Sequence, residues 1–330
     1  MVVGLLAAVA AGTAALASHN DPQVQPKAPG PKHSSLAAPT TSTSKPATIG
    51  AQLHAIGRLA VTWVEPPLAP GQLERTLSAV IRYPTDRAGG PYPLIVFSQG
   101  YDLPAEAYAR LLAGWAEHGY VVADPTYPET DPSAPGGPNE ADIVNHPRDL
   151  SFVITQLLAL AARPGSALTG LIRPTAVGVA GHSDGGDVAL AAAADSCCRD
   201  PRVRAVAVLS AAELTSFGGT YFTGGSPPLL ATQGSSDVVN LPACSAQLYD
   251  ASPGPKYYLD LLGASHEGPY LGTGPAEAVV ARVTTDFFDL TLKHDPAARA
   301  RLQADGTRAG VASVTSAASV ARPGGGCPGA

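Results

Sequence analysis

The stretch Gly181-His182-Ser183-Asp184-Gly185 holds the residue best placed to act as a nucleophile. A serine hydroxyl is weak at neutral pH. It needs a base to take its proton, and the base needs an acid to orient it. In a G-x-S-x-G pattern the chain turns sharply from strand to helix. The glycines remove side chains that would clash, and the serine is left exposed on the turn. The flanks suit that turn: an apolar run at 176–180 precedes it and an alanine-rich run at 185–195 follows. The plainer reading is a serine that caps a helix. Partners elsewhere in the chain decide between the two.

His266 is the candidate base. It lies in Leu262-Gly263-Ala264-Ser265-His266-Glu267-Gly268, after the last strand-like run and before the last helix-like one, where a loop histidine can reach Ser183. His19 and His33 fall in a Pro/Ser/Thr-rich stretch. His54, His118, His146 and His294 lie before or within helices or outside the core order. His182 is expected to point away from the side chain of its neighbour. The acid should come between serine and histidine in chain order. Asp237 fits, since it ends a strand-like run and opens a loop; Glu213, after the preceding strand, is the alternative. Asp250 and Asp260 read as a helix end and a strand surface position.

An oxyanion site needs two aimed backbone N–H groups. The N–H of Asp184, at the start of the helix, is one. The other is expected from Ser98-Gln99-Gly100-Tyr101-Asp102, where Gly100 permits close approach and Tyr101 supplies the N–H. An ordinary strand-end turn reads the same way. Candidate cleft residues are Gln99, the ring of Tyr101, and Tyr221 and Phe222 in the segment 215–226. The carboxylates of Asp184 and Asp187 suit the first turn of a helix, where the macrodipole favours negative charge. Asp124, Glu129, Asp131, Glu140 and Asp142 are calcium-type ligands, but their spacing matches no EF-hand loop, and no metal or cofactor is expected.

These residues must be carried by elements that bring them to one place. Strand-like runs fall at 59–64, 77–83, 94–98, 120–123, 176–180, 203–209, 228–232 and 256–262. Helix-like runs fall at 105–118, 143–162, 185–195, 241–249 and 276–292. Leu94-Ile95-Val96-Phe97 is continuously apolar, as in a strand buried on both faces. Tyr108, Leu111, Leu112 and Trp115 recur at helical spacing, as do Val279, Val283, Phe287 and Leu290. Strands alternating with helices imply an α/β fold, with a mostly parallel central sheet and helices on both faces. Sites in such sheets form at the carboxyl ends of the strands, and the candidate residues fall just after strands.

The chain has 330 residues and a net charge of −6 with no basic block, so no nucleic-acid partner is expected. The run from Val2 to Ala17 is shorter than the roughly 20 residues of a good membrane span. Ala15-Leu16-Ala17 before Ser18 fits a cleavage site, although no Lys or Arg precedes Lys27. Residues 1–17 therefore read as a cleaved secretory signal, with an uncleaved anchor as the alternative. Secretion with no stable membrane span after cleavage follows. Residues 18–50 are Pro/Ser/Thr-rich with few large apolar side chains and read as a disordered linker. The folded domain is expected over 51–305, with a flexible tail at 306–330, as a monomer.

GHSDGG, PLIVFSQGY, GSSD and GASHEG together resemble the α/β-hydrolase superfamily across roughly 57–292. Within it they are similar to the dienelactone-hydrolase-like, chlorophyllase-like and bacterial cutinase or polyester-hydrolase branch. Gly100-Tyr101 matches the Gly-Tyr or Gly-Phe pair that supplies one oxyanion N–H in those cutinases. Asp184 departs from their usual Met or Gln, and Gln99 from a frequent His. The resemblance implies a Ser-His-Asp esterase or lipase acting on a small-molecule or lipid ester. Alternatives on the same fold are an acyltransferase, a peptidase or a non-catalytic binding protein. The implied topology bears on Cys197, Cys198, Cys244 and Cys327. The helix after Ser183 runs away from the site, so Cys197 and Cys198 lie far from Cys244. Cys327 is then expected to meet Cys197 or Cys198, with a strained 197–198 bridge also possible.

Overall fold

The computed structural model describes residues 53–67, 73–212, 217–321 and 327. The proposed signal and linker (1–50) and the alternative acid Glu213 lie outside the described residues. Nine strands form one sheet: β1 (Ile56–Glu65), β2 (Arg75–Pro84), β3 (Tyr92–Ser98), β4 (Val121–Thr126), β5 (Ile172–His182), β6 (Val203–Leu209), β7 (Leu229–Gly234), β8 (Lys256–Leu261) and β9 (Ala312–Thr315). Their spatial order is β1-β2-β4-β3-β5-β6-β7-β8-β9. The six strands from β4 to β8 in that order run parallel, while β1, β2 and β9 pair antiparallel. This is the α/β-hydrolase arrangement that the motifs imply.

Seven α-helices accompany the sheet among the described residues: α1 (Ala109–Glu117), α2 (His146–Ala162), α3 (Asp184–Ala194), α4 (Pro242–Ala251), α5 (Gly268–Leu271), α6 (Pro275–Thr291) and α7 (Ala298–Gly306). The central strands send successive side chains to opposite faces. Leu94 and Val96 of β3, Val177 and Val179 of β5, and Val206 and Val208 of β6 pack with apolar residues of α2, α3 and α4. Ile95, Phe97, Ala180, Ala207 and Leu209 pack with α1, α6 and α7. Both faces are covered, which is why these strands read as apolar runs without alternation. The 105–118 helical run divides into a 3-10 turn, Ala105–Tyr108, and α1. Helix α1 stops at Gly119, whose φ of 84° an L side chain rarely adopts.

The carboxyl-terminal region departs from the expected flexible tail. Helix α7 packs Leu302 into the core within the expected domain, but beyond it β9 pairs with β8. A four-residue strand carries little periodic signal. Its formation is driven by the bare edge of β8, whose backbone groups it satisfies. The chain then passes along α4: Tyr249 donates to Ala317 O at 2.6 Å, and Val320 N–H donates to Asp250 Oδ1 at 2.9 Å. Following α4 toward its start brings Cys327 to Cys244, and these two are bridged. Cys197 is bridged to Cys198. The expected pairing of Cys327 with Cys197 or Cys198 is thereby corrected, because β9 returns the chain along α4 rather than along α3. No helix among the described residues is long and apolar enough to cross a membrane.

Candidate active site

Strand β5 ends at His182 and α3 begins at Asp184, so a single residue, Ser183, makes the turn. Its φ and ψ are 54° and −129°, a strained combination for a side chain with a Cβ. The turn is tight enough to exclude other residues beside it. A Cβ on Gly181 would sit 2.0 Å from the Gly185 carbonyl oxygen, and one on Gly185 would sit 2.1 Å from the Ser98 carbonyl oxygen. The motif's glycines are therefore set by backbone against backbone. Ser183 N–H donates to Leu209 O at 2.9 Å, which ties the turn to the end of β6. Ser183 stands at the N-cap position of α3, but its side chain accepts no hydrogen bond from the backbone of the first turn, so its hydroxyl does not serve as a cap.

Asp237 follows β7 and His266 follows β8, neighbouring parallel strands whose loops open at the same edge. His266 Nδ1 and Asp237 Oδ2 lie 2.8 Å apart, and both residues are buried. An ionised carboxylate only accepts, so Nδ1 carries the proton and Nε2 is left with its lone pair. Asp237 is fully engaged. Oδ1 accepts Val239 N–H at 2.9 Å and Asn240 N–H at 3.0 Å, and Oδ2 also accepts from Gln233 Nε2 at 3.1 Å. Burial opposes its ionisation, but the bond and charge of His266 and the two N–H donors outweigh it, leaving the carboxyl below its ordinary value. Ser183 and His266 share no direct hydrogen bond. Such bonds are often long without substrate and tighten in the Michaelis complex.

The loop after β3 closes against the serine. A Cβ on Gly100 would stand 3.3 Å from Ser183 Cβ. The Tyr101 hydroxyl donates to Pro138 O at 3.1 Å, which fixes that ring against the loop before α2. Gln99 is buried rather than open to a cleft. The Asp184 N–H opens α3 and is one of the first-turn donors that a helix leaves without an internal partner. Its carboxyl lies against that N–H. Burial lifts it, the charge of Glu140 adds to the lift, and together they push it up to about 6.

Tyr221 and Phe222 do not join this group. Phe222 N–H donates to Ala194 O at 2.9 Å and Tyr221 bridges Asp195, at the far end of α3. That is about 16 Å from Ser183 at 1.5 Å per helical residue. The segment must return the chain to the start of β7, at the amino ends of the parallel strands and so opposite the end that carries Ser183. Two of the acidic residues of 124–142, Asp142 and Asp124, face arginines. Arg75 donates to both Asp142 and Asp149, at 2.6 to 3.1 Å, and Asp124 faces Arg82.

The structure also adds a residue the sequence reading set aside. His182 is fully buried, with Nδ1 2.8 Å from the Tyr108 hydroxyl and Nε2 3.0 Å from the His266 carbonyl oxygen. Its place as the x before the serine was the available signal.

The sequence profile of the chlorophyllase family matches residues 54–244, more than half of the chain. Comparison with curated proteins gives no match.

Proposed function

The chain belongs to the chlorophyllase family of the α/β-hydrolase superfamily and is an esterase-type hydrolase; from that premise we propose a serine carboxylic-ester hydrolase that works through an acyl-enzyme. Ser183 Oγ attacks the ester carbonyl and gives its proton to His266 Nε2. The Tyr101 and Asp184 N–H groups hold the negative oxygen of the tetrahedral intermediate. Collapse breaks the ester C–O bond, and the leaving alcohol takes the proton from His266. Water, activated by the same imidazole, then attacks the acyl-enzyme and releases the acid. Asp237 keeps the ring in the tautomer that leaves Nε2 basic.

The observation that carries this reading is the 2.8 Å contact of His266 Nδ1 with a fully engaged Asp237 carboxylate, beside a serine on a strained strand-to-helix turn. The substrate class is a small-molecule or lipid ester, and the active unit a monomer. Labelling with a fluorophosphonate probe tests the nucleophile: the native chain is expected to label and Ser183→Ala is not. Labelling that survives Ser183→Ala sinks the assignment. A series of p-nitrophenyl esters of rising acyl length then ranks the substrates.

Secretion is part of the same proposal. Two disulfides among four cysteines suit an oxidising compartment, and Ala15-Leu16-Ala17 offers the cleavage site. Amino-terminal sequencing of protein recovered from the medium should begin at Ser18.

A further inference from the structure

Three loops must hold register for the proposed reaction: the one after β3 with the Tyr101 N–H, the turn at Ser183, and the one after β8 with His266. A single chain of hydrogen bonds runs through all three. Gly100 N–H donates to the Tyr108 hydroxyl oxygen at 3.1 Å. Tyr108 and His182 Nδ1 are 2.8 Å apart, and His182 Nε2 and the His266 carbonyl oxygen 3.0 Å.

Chemistry fixes the direction of each link. A carbonyl oxygen can only accept, so His182 Nε2 carries a hydrogen. Burial and the neighbouring His266 push the His182 imidazole down to about 3, which keeps it neutral in ordinary buffers. A neutral imidazole with hydrogen on Nε2 has a bare Nδ1, so Nδ1 accepts from the Tyr108 O–H. The Tyr108 oxygen then accepts from Gly100 N–H. All donors point one way, from the β3 loop to the β8 loop, and aligned bonds of this kind polarise one another.

The surroundings leave the His182 ring little freedom. It lies 4.7 Å from the His266 ring and 4.8 Å from the Tyr270 ring, centroid to centroid. Tyr270 is itself held, with its hydroxyl 2.9 Å from Ser210 Oγ and 3.0 Å from Thr232 Oγ1. A Cβ on Gly100 would stand 3.3 Å from His182 Nδ1 and from Leu103. Tyr108 packs on Phe97 at 4.6 Å. The chain's effect on the site is local and geometric. Because Gly100 N–H is committed to Tyr108, the peptide just before the one that carries the Tyr101 N–H is anchored. Because the His266 carbonyl is committed to His182, the base is held at its backbone as well as at its Asp237 bond.

We propose that Tyr108 and His182 are positioning residues that couple the oxyanion loop to the loop of the base, so that donor and base are set together relative to Ser183. This deepens the proposed ester-hydrolase reading and rests on it. Neither side chain touches the reacting atoms.

Tyr108→Phe removes one hydroxyl and keeps the ring, so the fold is retained. Its kcat on a p-nitrophenyl ester, per active site titrated with a fluorophosphonate, is expected to fall about 10- to 100-fold, in the range of a misaimed oxyanion donor. KM should stay within about threefold, since the loss lies in the transition state. His182→Phe should lose a similar factor. The double variant should lose no more than the worse single one, because either change cuts the same chain. His182→Gln, whose amide again offers an acceptor beside a donor, should recover part of kcat. A kcat in Tyr108→Phe within twofold of the native chain overturns the coupling. So do multiplying losses in the double variant, or a loss that appears only as a lower titrated fraction. Native protein that fails to label at Ser183 instead overturns the hydrolase reading, and the coupling with it.

Discussion

Asp237 grips His266 with one carboxylate oxygen and its own loop with the other: Oδ2 to Nδ1 at 2.8 Å, Oδ1 to the N–H groups of Val239 and Asn240. The division of labour makes a sharp prediction. Asp237→Asn keeps the shape, but an amide presents either its N–H₂ to Nδ1 or loses the loop contacts. If it donates to Nδ1, the ring hydrogen moves to Nε2, and the base can no longer accept from serine. A kcat lower by about 10⁴ with little change in KM is expected, since the geometry survives and the tautomer does not. Steady-state kinetics on the best p-nitrophenyl ester checks it; a loss below tenfold would mean that another group orients His266.

The strain at Ser183 predicts a trade between activity and stability. Its φ of 54° with ψ of −129° suits glycine and no residue with a Cβ. Strain of that kind costs about 1–3 kcal/mol. Ser183→Gly relieves it, less about 0.5–1 kcal/mol for the added freedom of the unfolded chain. Ser183→Ala keeps it. Both variants should be inactive, yet only the glycine variant should melt higher than the native chain, by roughly 2–5 °C in calorimetry. Equal melting temperatures for the two would mean that the turn holds no strain.

Legibility in the sequence followed how local each determinant is. The Ser183 turn is written within six residues as a motif, and Gly181 answers to the Gly185 backbone four positions on, whereas Gly185 answers to Ser98 and Gln99 at the distant end of β3. The buried strands β3, β5 and β6 are legible as unbroken apolar runs, since helices cover both faces. Asp237 and His266 are far apart in the chain, but each comes directly after a strand, and parallel order brings those strand ends together. What escaped depends on distant edges. Strand β9 is only Ala312–Thr315 and exists because β8 would otherwise be bare. The Cys244–Cys327 bridge depends on β9, so its partner was misassigned with it. Tyr221 and Phe222 read as cleft aromatics from composition alone, whereas the connection to β7 takes them to the amino ends of the parallel strands. The destination of the His182 ring, between Tyr108 and the His266 carbonyl, depends on two distant loops and has no local signal.

Asp184 should give the protein a pH dependence with a definite sign. Burial, then Glu140, raises its carboxyl from an ordinary 3.8 to about 6. A raised acid binds its proton more readily folded than unfolded. Between those two values the folded chain holds more protons, so stability falls as pH rises, and the penalty is complete above pH 6. Asp184→Asn cannot ionise. Its melting temperature should exceed that of the native chain by a few degrees at pH 8, with the difference vanishing below about pH 4. The same charge lies against the N–H proposed to hold the oxyanion. The ratio of variant to native kcat should therefore rise through pH 6. A melting difference that is constant from pH 4 to 8 would show that the carboxyl titrates normally.

The Cys244–Cys327 bridge ties the tail across 83 residues of chain. Closing a loop of that length removes entropy from the unfolded state, about 4–5 kcal/mol by the chain-entropy relation and typically 2–4 kcal/mol in practice. The paired variant Cys244→Ala/Cys327→Ser isolates this bond, whereas reducing the native chain also opens Cys197–Cys198. Its melting temperature should fall by roughly 5–15 °C in a scan without reductant. The proposed site should feel little of it. Asp237 is anchored by its own loop and by Gln233, and α4 is separately held by Ser245 Oγ donating to Ala211 O at 2.8 Å. The kcat at 25 °C is therefore expected to stay within about twofold, while the rate of thermal inactivation rises because the tail and β9 leave the sheet edge more easily. An unchanged melting temperature would mean that the tail is held by its hydrogen bonds to Tyr249 and Asp250 alone.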